Sequence, residues 1–152
     1  MKNFFRFIII FMICFLTGCT SAKISQKERN NRLSKIKTFY TEWKGTKYKY
    51  GGQSKKGVDC SGLVGIFFKE EYNKSIPRTT LEIAKEGEEV SSISDLEVGD
   101  IVLFKIRRKV YHTGLYIGNG KFLHSSTQKG VMISMFDDYW LKKYWQSRRI
   151  LQ

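Results

Sequence analysis

The reactive groups of this chain are thiols and imidazoles, because it contains three cysteines and only two histidines. Cys14 and Cys19 lie in or beside an apolar N-terminal run, which leaves Cys60 as the only thiol of a domain folded downstream. A single thiol has no disulfide partner within such a domain. It is therefore either a small buried side chain or a reactive group, and its surroundings must decide between the two.

The segment around Cys60 predicts a helix that begins at the cysteine. A polar, Gly-rich loop over residues 51–57 is followed by Asp59, a residue type that caps helices, and apolar residues then recur at helical spacing to about Tyr72. In the first turn, unpaired backbone N–H groups and the helix dipole favour the thiolate form of Cys60. A nucleophile would be activated at this position, whereas a structural cysteine would not.

A cysteine nucleophile needs a base, and the base needs a group that orients it. His112 lies in an extended pattern that ends at residues 118–120, and His124 follows directly after that turn. The pattern predicts a β-hairpin with the two histidines opposite each other or one diagonal apart on the same face. One imidazole could then contact the thiol of Cys60 while the other holds its second nitrogen.

The same three side chains could also bind zinc, which has three protein ligands at many catalytic sites. However, the sequence has no second close pair of ligands, such as Cys-x-x-Cys or His-Glu-x-x-His. We therefore expect a thiol site with no metal and no other cofactor.

The N-terminal segment predicts export. Lys2 and Arg6 precede an apolar run over residues 7–16, which spans only about 15 Å as a helix, against about 30 Å for a hydrocarbon core. The run is followed by Leu-Thr-Gly-Cys at residues 16–19, which resembles the lipobox of bacterial lipoproteins. In that motif the cysteine is lipidated and becomes the mature N-terminus, and a signal peptidase site that happens to contain a cysteine is the alternative.

The full chain of 152 residues, with 41% apolar residues, is long enough for one core and has no repeat or Pro-rich linker. We predict a signal peptide over 1–18, a lipidated Cys19 with a polar tether over 19–31, and one catalytic domain over 32–152. Within the domain, apolar spacing predicts an amphipathic helix over 33–43, a strand over 101–104, a helix over 137–143 and a closing strand over 145–151.

Several short motifs, in order and over nearly the whole predicted domain, resemble the NlpC family of murein peptidases. They are Tyr48 to Gly52, Asp59-Cys60-Ser61-Gly62, Pro77-Arg78-Thr79, Leu96 to Phe104, His112-x-Gly114-x-Tyr116-Ile117-Gly118 with His124, and the tail from Gly130 to Ile150. One departure is Ile83, where many relatives have glutamine, so substrate contacts near residues 78–83 are not carried over with the chemistry.

The resemblance implies an α+β, papain-like fold, in which a helix that starts at the nucleophile packs on an antiparallel sheet. It also implies cleavage of short murein peptides beside a diamino acid. Matched by position, Cys60 is the nucleophile, His112 the general base, His124 the group that orients it and Tyr48 a residue that stabilises the oxyanion. Two further positions, Ser61 and Arg78, are expected to contact substrate.

The charge and the N-terminus suggest where the protein acts. The net charge of +13 is compatible with binding to nucleic acid, but export and the lack of a basic-aromatic motif disfavour such binding. Attraction to anionic murein or lipid is the preferred interpretation. Thr20, rather than the aspartate associated with inner-membrane retention, follows Cys19. We therefore expect a monomer held at the outer membrane, facing the murein. A catalytically idle wall-binding lipoprotein and a Cys-His amidase or acyltransferase are the alternatives.

Overall fold

The computed structural model describes residues 24–152, so the predicted signal peptide and Cys19 lie outside the described residues. Helices dominate the first half of this range and an antiparallel sheet the second, which confirms the predicted α+β class. The helices are α1 (Gln26–Trp43), α2 (Cys60–Tyr72), α3 (Thr80–Ile83) and α4 (Asp138–Lys143), with a 3₁₀ turn at Ile93–Asp95; the strands are β1 (Gln53–Ser54), β2 (Gly57–Val58), β3 (Glu88–Glu89), β4 (Ile101–Arg107), β5 (Val110–Gly118), β6 (Lys121–Ser126), β7 (Gly130–Met135) and β8 (Tyr144–Arg149).

Helix α1 begins earlier than the sequence predicted. The tether was expected to extend to residue 31, but the helix starts at Gln26, where the side chain of Ser25 accepts a hydrogen bond from the backbone N–H of Glu28. Glu28 also pairs with Arg32 at 2.8 Å, and Arg32 is 99% buried. Residues 26–31, the second half of the predicted tether, are therefore the capped first turns of the helix. None of the helices within residues 24–152 has the length and apolar character needed to cross a membrane.

Helix α2 has the boundaries that its sequence predicted. Asp59 is its N-cap, and Asn73 ends it in the left-handed conformation at φ 48°. The face that carries Leu63, Val64 and Phe67 is fully buried. This face packs on the sheet, mainly on β5 and β6, and so fixes the start of α2 against those strands.

The main sheet has six strands in the order β3-β8-β4-β5-β6-β7, and its neighbouring strands are antiparallel. The predicted hairpin is formed by β5 and β6, and the predicted closing strand is β8, which lies between β3 and β4. Two apolar clusters cover the sheet. The larger lies under α1 and α2, and the smaller contains Val102, Phe104 and Phe122 with rings from α4.

Candidate active site

Cys60 lies in the first turn of α2, as predicted. The start of this helix is held by a capping hydrogen bond and by close packing of the preceding loop. The carboxylate of Asp59 accepts a hydrogen bond from the backbone N–H of Gly62 at 2.7 Å. A Cβ at Gly62 would lie 2.6 Å from the backbone oxygen of Gly52 and 2.9 Å from the Asp59 carboxylate. Glycine at this position therefore allows the preceding loop to approach the helix that presents the thiol.

Burial is the main influence on the thiol of Cys60, which is 7% exposed. It raises the pKa of the thiol above its ordinary value, and the charge of Asp59 acts in the same direction. Hydrogen bonds from the backbone N–H groups of Thr113 and Ser61 and from the Thr80 hydroxyl lower it, but do not reverse the shift. The expectation of a resting thiolate is therefore wrong, because burial outweighs the helix start, and the thiolate forms only when a base takes the proton.

The two histidines contact each other across the β5–β6 hairpin. Nε2 of His112 lies 2.8 Å from Nδ1 of His124. Because Leu115 pairs with Leu123, the two histidines are one diagonal apart on the same face, as predicted. A Cβ at Gly114 would lie 3.2 Å from the Cβ of His124, so this glycine leaves room for the pair of rings. With Nε2 engaged, Nδ1 is the nitrogen of His112 that remains to accept a proton.

Strand β5 connects the histidine pair to the thiol. Thr113, whose backbone N–H forms a hydrogen bond with Cys60, directly follows His112. Thr113 is itself fully buried, and its hydroxyl donates to the backbone oxygen of Val102 on β4 at 3.0 Å. The strand is therefore fixed on both sides at the point where it passes the thiol.

Aromatic rings of the smaller apolar cluster enclose the histidine pair. The ring centroid of Trp140 lies 5.4 Å from that of His112 and 5.3 Å from that of His124, and Phe122 lies 4.8 Å from His124. Burial lowers the pKa of His112 to about 4 and that of His124 to about 3, and repulsion from His112 contributes to the second value. Both imidazoles are therefore neutral at neutral pH, and His112 can accept a proton.

One side chain of the site was missed by the sequence analysis. Ser134 on β7 places its Oγ 2.9 Å from Nε2 of His124. It lies on the same face because it pairs with Phe122, two residues before His124 on β6. Strand alternation could have suggested this contact only after the register across residues 127–129 was known, and the sequence does not give that register.

The two expected substrate residues belong to a second polar cluster. The guanidinium of Arg78 donates to both carboxylate oxygens of Asp59, at 2.9 and 2.6 Å, and to the Ser61 hydroxyl at 2.9 Å. Burial alone would raise the pKa of Asp59, but Arg78 and the N–H groups of Gly62 and Gly51 bring it below its ordinary value. Asp59 is therefore charged, and Arg78 holds the N-cap of the catalytic helix in place.

A groove of about 340 Å³ opens beside this cluster. Ser61 and Arg78 line it together with Gly65 and Lys69 of α2 and Ile76 of the loop after that helix. Its volume is in the range of sites that hold small ligands. Ser61 and Arg78 therefore border an open space, whose lining does not include Cys60 or the two histidines.

Tyr48 lies on the loop side of the site, where it forms a bridge with Val58 two residues before Cys60. Burial raises the pKa of its hydroxyl, and a negative charge on Cys60 acts in the same direction. The hydroxyl therefore stays protonated at neutral pH and can donate a hydrogen bond. The backbone N–H of Cys60, at the start of a helix, has no acceptor within that helix. Together these two donors have the chemistry of an oxyanion site.

Within residues 24–152, no group of three or more His, Cys, Asp or Glu side chains is arranged to hold a metal ion. Cys60 is a free, buried cysteine in this part of the chain. The side chains that the site brings together are a thiol and two neutral imidazoles.

The sequence was compared with models of known protein families. The family model described as the NlpC/P60 family matches residues 45–149, which include Cys60, both histidines, Tyr48 and Arg78. The chain belongs to the NlpC/P60 family. The resemblance of the sequence motifs is thereby confirmed.

Curated relatives of this NlpC/P60 chain cover most of its length. It is 43% identical over 139 residues to a protein of Escherichia coli named "Murein DD-endopeptidase MepS/Murein LD-carboxypeptidase", covering 87% of this chain and 73% of that protein. It is 37% identical over 153 residues to the Escherichia coli "Probable endopeptidase NlpC", covering 94% and 97% of the two chains. A crystal structure of an NlpC/P60 family protein from Bacillus cereus superimposes with a TM-score of 0.71 at 28% identity, covering 80% of this chain and 40% of that one.

The NlpC/P60 fold also explains the departure at Ile83. This residue is fully buried at the end of α3 and belongs to the main apolar cluster. Its side chain therefore packs in the core and does not face the groove. Thr80, one turn earlier on the same short helix, is the residue that contacts Cys60.

Proposed function

We propose that this chain is a cysteine peptidase that hydrolyses the stem peptides of murein, with Cys60 as the nucleophile and His112 as the general base. The observation that carries the proposal is the line of contacts from Ser134 through His124 to His112, which ends one residue from the backbone N–H that touches the buried thiol. The names of the curated relatives supply the substrate class, since several of them are called murein DD-endopeptidases.

The reaction follows from the protonation states. Nδ1 of His112 takes the proton of the Cys60 thiol as Sγ attacks the amide carbon, and the carbonyl oxygen becomes an oxyanion. The same proton then passes to the leaving amine as the C–N bond breaks, which leaves a thioester. Water attacks this thioester with His112 again as the base, and the carboxylate product leaves as the Cys60 thiol re-forms. A neutral resting pair can begin this cycle because burial keeps both partners uncharged.

The oxyanion is stabilised by the donors on the loop side of the site. We assign this role to the Tyr48 hydroxyl and the backbone N–H of Cys60. Both groups are donors before substrate arrives, so little reorganisation is needed when the negative charge develops. Removing one such donor from a hydrolase typically costs about a hundredfold or more in kcat.

Ser61 and Arg78 are proposed to contact the substrate from the groove. Arg78 is about one third exposed, so part of its guanidinium faces solvent although it also holds Asp59. Digestion rates measured over a range of substrate concentrations test this contact, because its loss raises KM while kcat is maintained.

A segment rich in exposed lysines, next to Cys60 in the sequence, can attract an anionic polymer. Lys44, Lys47, Lys49, Lys55 and Lys56 are all exposed, and residues 43–58 contain no acidic side chain. Murein stem peptides carry free carboxylates, which such a segment attracts. This placement supports the interpretation of the net charge as attraction to the wall.

Two alternatives use the same fold. An idle wall-binding protein would not need to keep a buried thiol, a connected histidine pair and a protonated tyrosine together. A Cys-His amidase or acyltransferase would use the same nucleophile on another acyl group. The test is digestion of purified murein sacculi by the protein, with soluble products identified by mass. Release of cleaved stem peptides supports the peptidase, whereas unchanged sacculi, or products cut between sugar and peptide, would reject it.

The depressed pKa of His112 predicts the acid limb of the pH–rate profile. His112 must be neutral to accept a proton, and its pKa of about 4 lies below the ordinary value of 6.5. We therefore expect kcat/KM at about pH 5.5 to exceed half of its value at pH 7, whereas an unperturbed histidine would leave about a tenth of its base form there. Initial rates on soluble murein fragments measure this, and a midpoint above about pH 6 would contradict it.

We propose that Cys19 carries the lipid that anchors the protein at the outer membrane, where it acts as a monomer facing the murein. Since α1 starts at Gln26, six residues, 20–25, separate the proposed anchor from the first helix. The catalytic domain would then work close to its membrane.

Replacing Cys19 by serine tests the anchor. We expect Cys19→Ser to abolish palmitate labelling and to leave the precursor unprocessed, because the thiol is the group that is alkylated. Radiolabelling and membrane fractionation measure the two effects, with Ser21→Ala as a matched change in the same segment. Labelling that survives in Cys19→Ser, or wild-type protein recovered in the soluble periplasmic fraction, would contradict the proposal.

A further inference from the structure

We propose that Ser134 is a positioning residue for the general base, which it supports through His124 without touching the substrate. This inference rests on the proposed Cys60–His112 mechanism and adds to it the residue that orients the second histidine. The contact that leads to it joins Oγ of Ser134 to Nε2 of His124 at 2.9 Å.

The position of Ser134 suits this role. His124 is 2% exposed, so its ring cannot exchange a lost partner for bulk water. Its Nδ1 is already occupied by His112, which leaves Nε2 facing β7. Ser134 is half-buried on that strand, and its hydroxyl can either donate or accept a hydrogen bond.

The donors and acceptors of the His112–His124–Ser134 hydrogen bonds are fixed when His112 is protonated. When His112 has taken the proton of Cys60, both of its ring nitrogens carry hydrogen, so its Nε2–H must donate to Nδ1 of His124. The single proton of neutral His124 then lies on Nε2 and must be accepted by Ser134. In the resting state the bonds could run in either direction. Ser134 is therefore required as an acceptor specifically when positive charge is present on His112.

Loss of the Ser134 hydroxyl should weaken the base. It would leave the Nε2–H of His124 buried without an acceptor in the charged state, and this disfavours protonation of His112. His124 cannot respond by taking a second proton, because burial already lowers its pKa to about 3. The expected result is a slower proton transfer with unchanged substrate binding.

The experiment uses the full chain and compares Ser134→Ala, Ser134→Thr, His124→Ala and the double variant Ser134→Ala/His124→Ala on soluble murein fragments. We expect Ser134→Ala to lower kcat about tenfold with KM unchanged, and Ser134→Thr, which keeps the hydroxyl, to stay within about twofold of wild type. On the His124→Ala background, Ser134→Ala should have no further effect. Ser92→Ala, which removes a hydroxyl that bonds to Ser94 and Asp95 at the 3₁₀ turn, is the control.

A titration separates this inference from the proposed function. In the Cys60→Ala chain, the pKa of His112 is followed by nuclear magnetic resonance with and without Ser134→Ala. We expect Ser134→Ala to lower the pKa of His112 by about one unit, which is a tenfold change in its acid dissociation constant. If wild type fails to cleave murein, the proposed function fails while this titration still decides the role of Ser134.

Several results would overturn the inference. The first is a kcat of Ser134→Ala within about twofold of wild type. The second is a loss in kcat from Ser134→Ala that is as large in the His124→Ala variant as in wild type. The third is a pKa of His112 that Ser134→Ala leaves unchanged. Should Ser134→Ala not fold, Ser134→Cys replaces it, because a thiol keeps the shape of the side chain but accepts hydrogen bonds weakly. Equal activity of the cysteine and threonine variants would then reject the role.

Discussion

Replacing Cys60 by alanine is expected to reduce murein hydrolysis by at least about a thousandfold, because no other group can form the thioester. In the proposed mechanism Cys60, at the start of α2, is the nucleophile, and the backbone N–H of Thr113 on the facing strand forms a hydrogen bond with it. A methyl group cannot attack a carbonyl. The fold should persist, since the change removes one sulfur atom from a side chain that makes few directional contacts.

The comparison with Cys60→Ser sharpens this prediction. Serine keeps the shape of the side chain and the hydrogen bonds from Thr113 and Thr80, but His112, with its lowered pKa, is too weak a base for a hydroxyl. Both variants should therefore be inactive while their thermal unfolding stays close to wild type. Activity of either above about a tenth of wild type, measured as stem-peptide products by mass, would remove Cys60 from the mechanism.

The second large effect is a difference in lost activity between variants of the two histidines. His112→Ala should be nearly as damaging as the cysteine change, because it removes the proton acceptor itself. His124→Gln should keep measurable activity, about a hundredfold or less below wild type, because the amide oxygen of glutamine can still accept from Nε2 of His112. Initial rates of the two variants on the same substrate give the comparison. Equal losses, or a larger loss in His124→Gln, would show that the roles are assigned wrongly.

Much of the site could be predicted because local chemistry determines it. Asp59 is a capping residue before a run with helical periodicity, so the sequence alone placed Cys60 at a helix start. The turn at residues 118–120 fixed the register of the hairpin, and this brought the two histidines to one face. These predictions depend only on neighbours in sequence, and the structure agrees with them.

The rest depends on contacts between distant segments. Ser134 reaches His124 through the register of β7, and Trp140 covers both imidazoles from α4. Burial by such distant residues is also what raises the pKa of Cys60, against the sequence expectation of a thiolate. The start of α1 was misplaced for a related reason. Ser25 and Glu28 look like polar linker residues until the buried Arg32 is seen to pair with Glu28.

The position of β8 makes the sheet depend on the last strand of the described chain. β8 is the last strand of the chain, yet it pairs with both β3 and β4 inside the sheet, and Arg149 at its end forms an ion pair with the buried Asp100. A nascent chain therefore contains the thiol and both histidines well before it contains the strand that joins the two parts of the sheet. Pairing between strands so distant in sequence slows folding relative to local pairing. The six-stranded sheet that carries both histidines is therefore complete only when residues up to 149 are present.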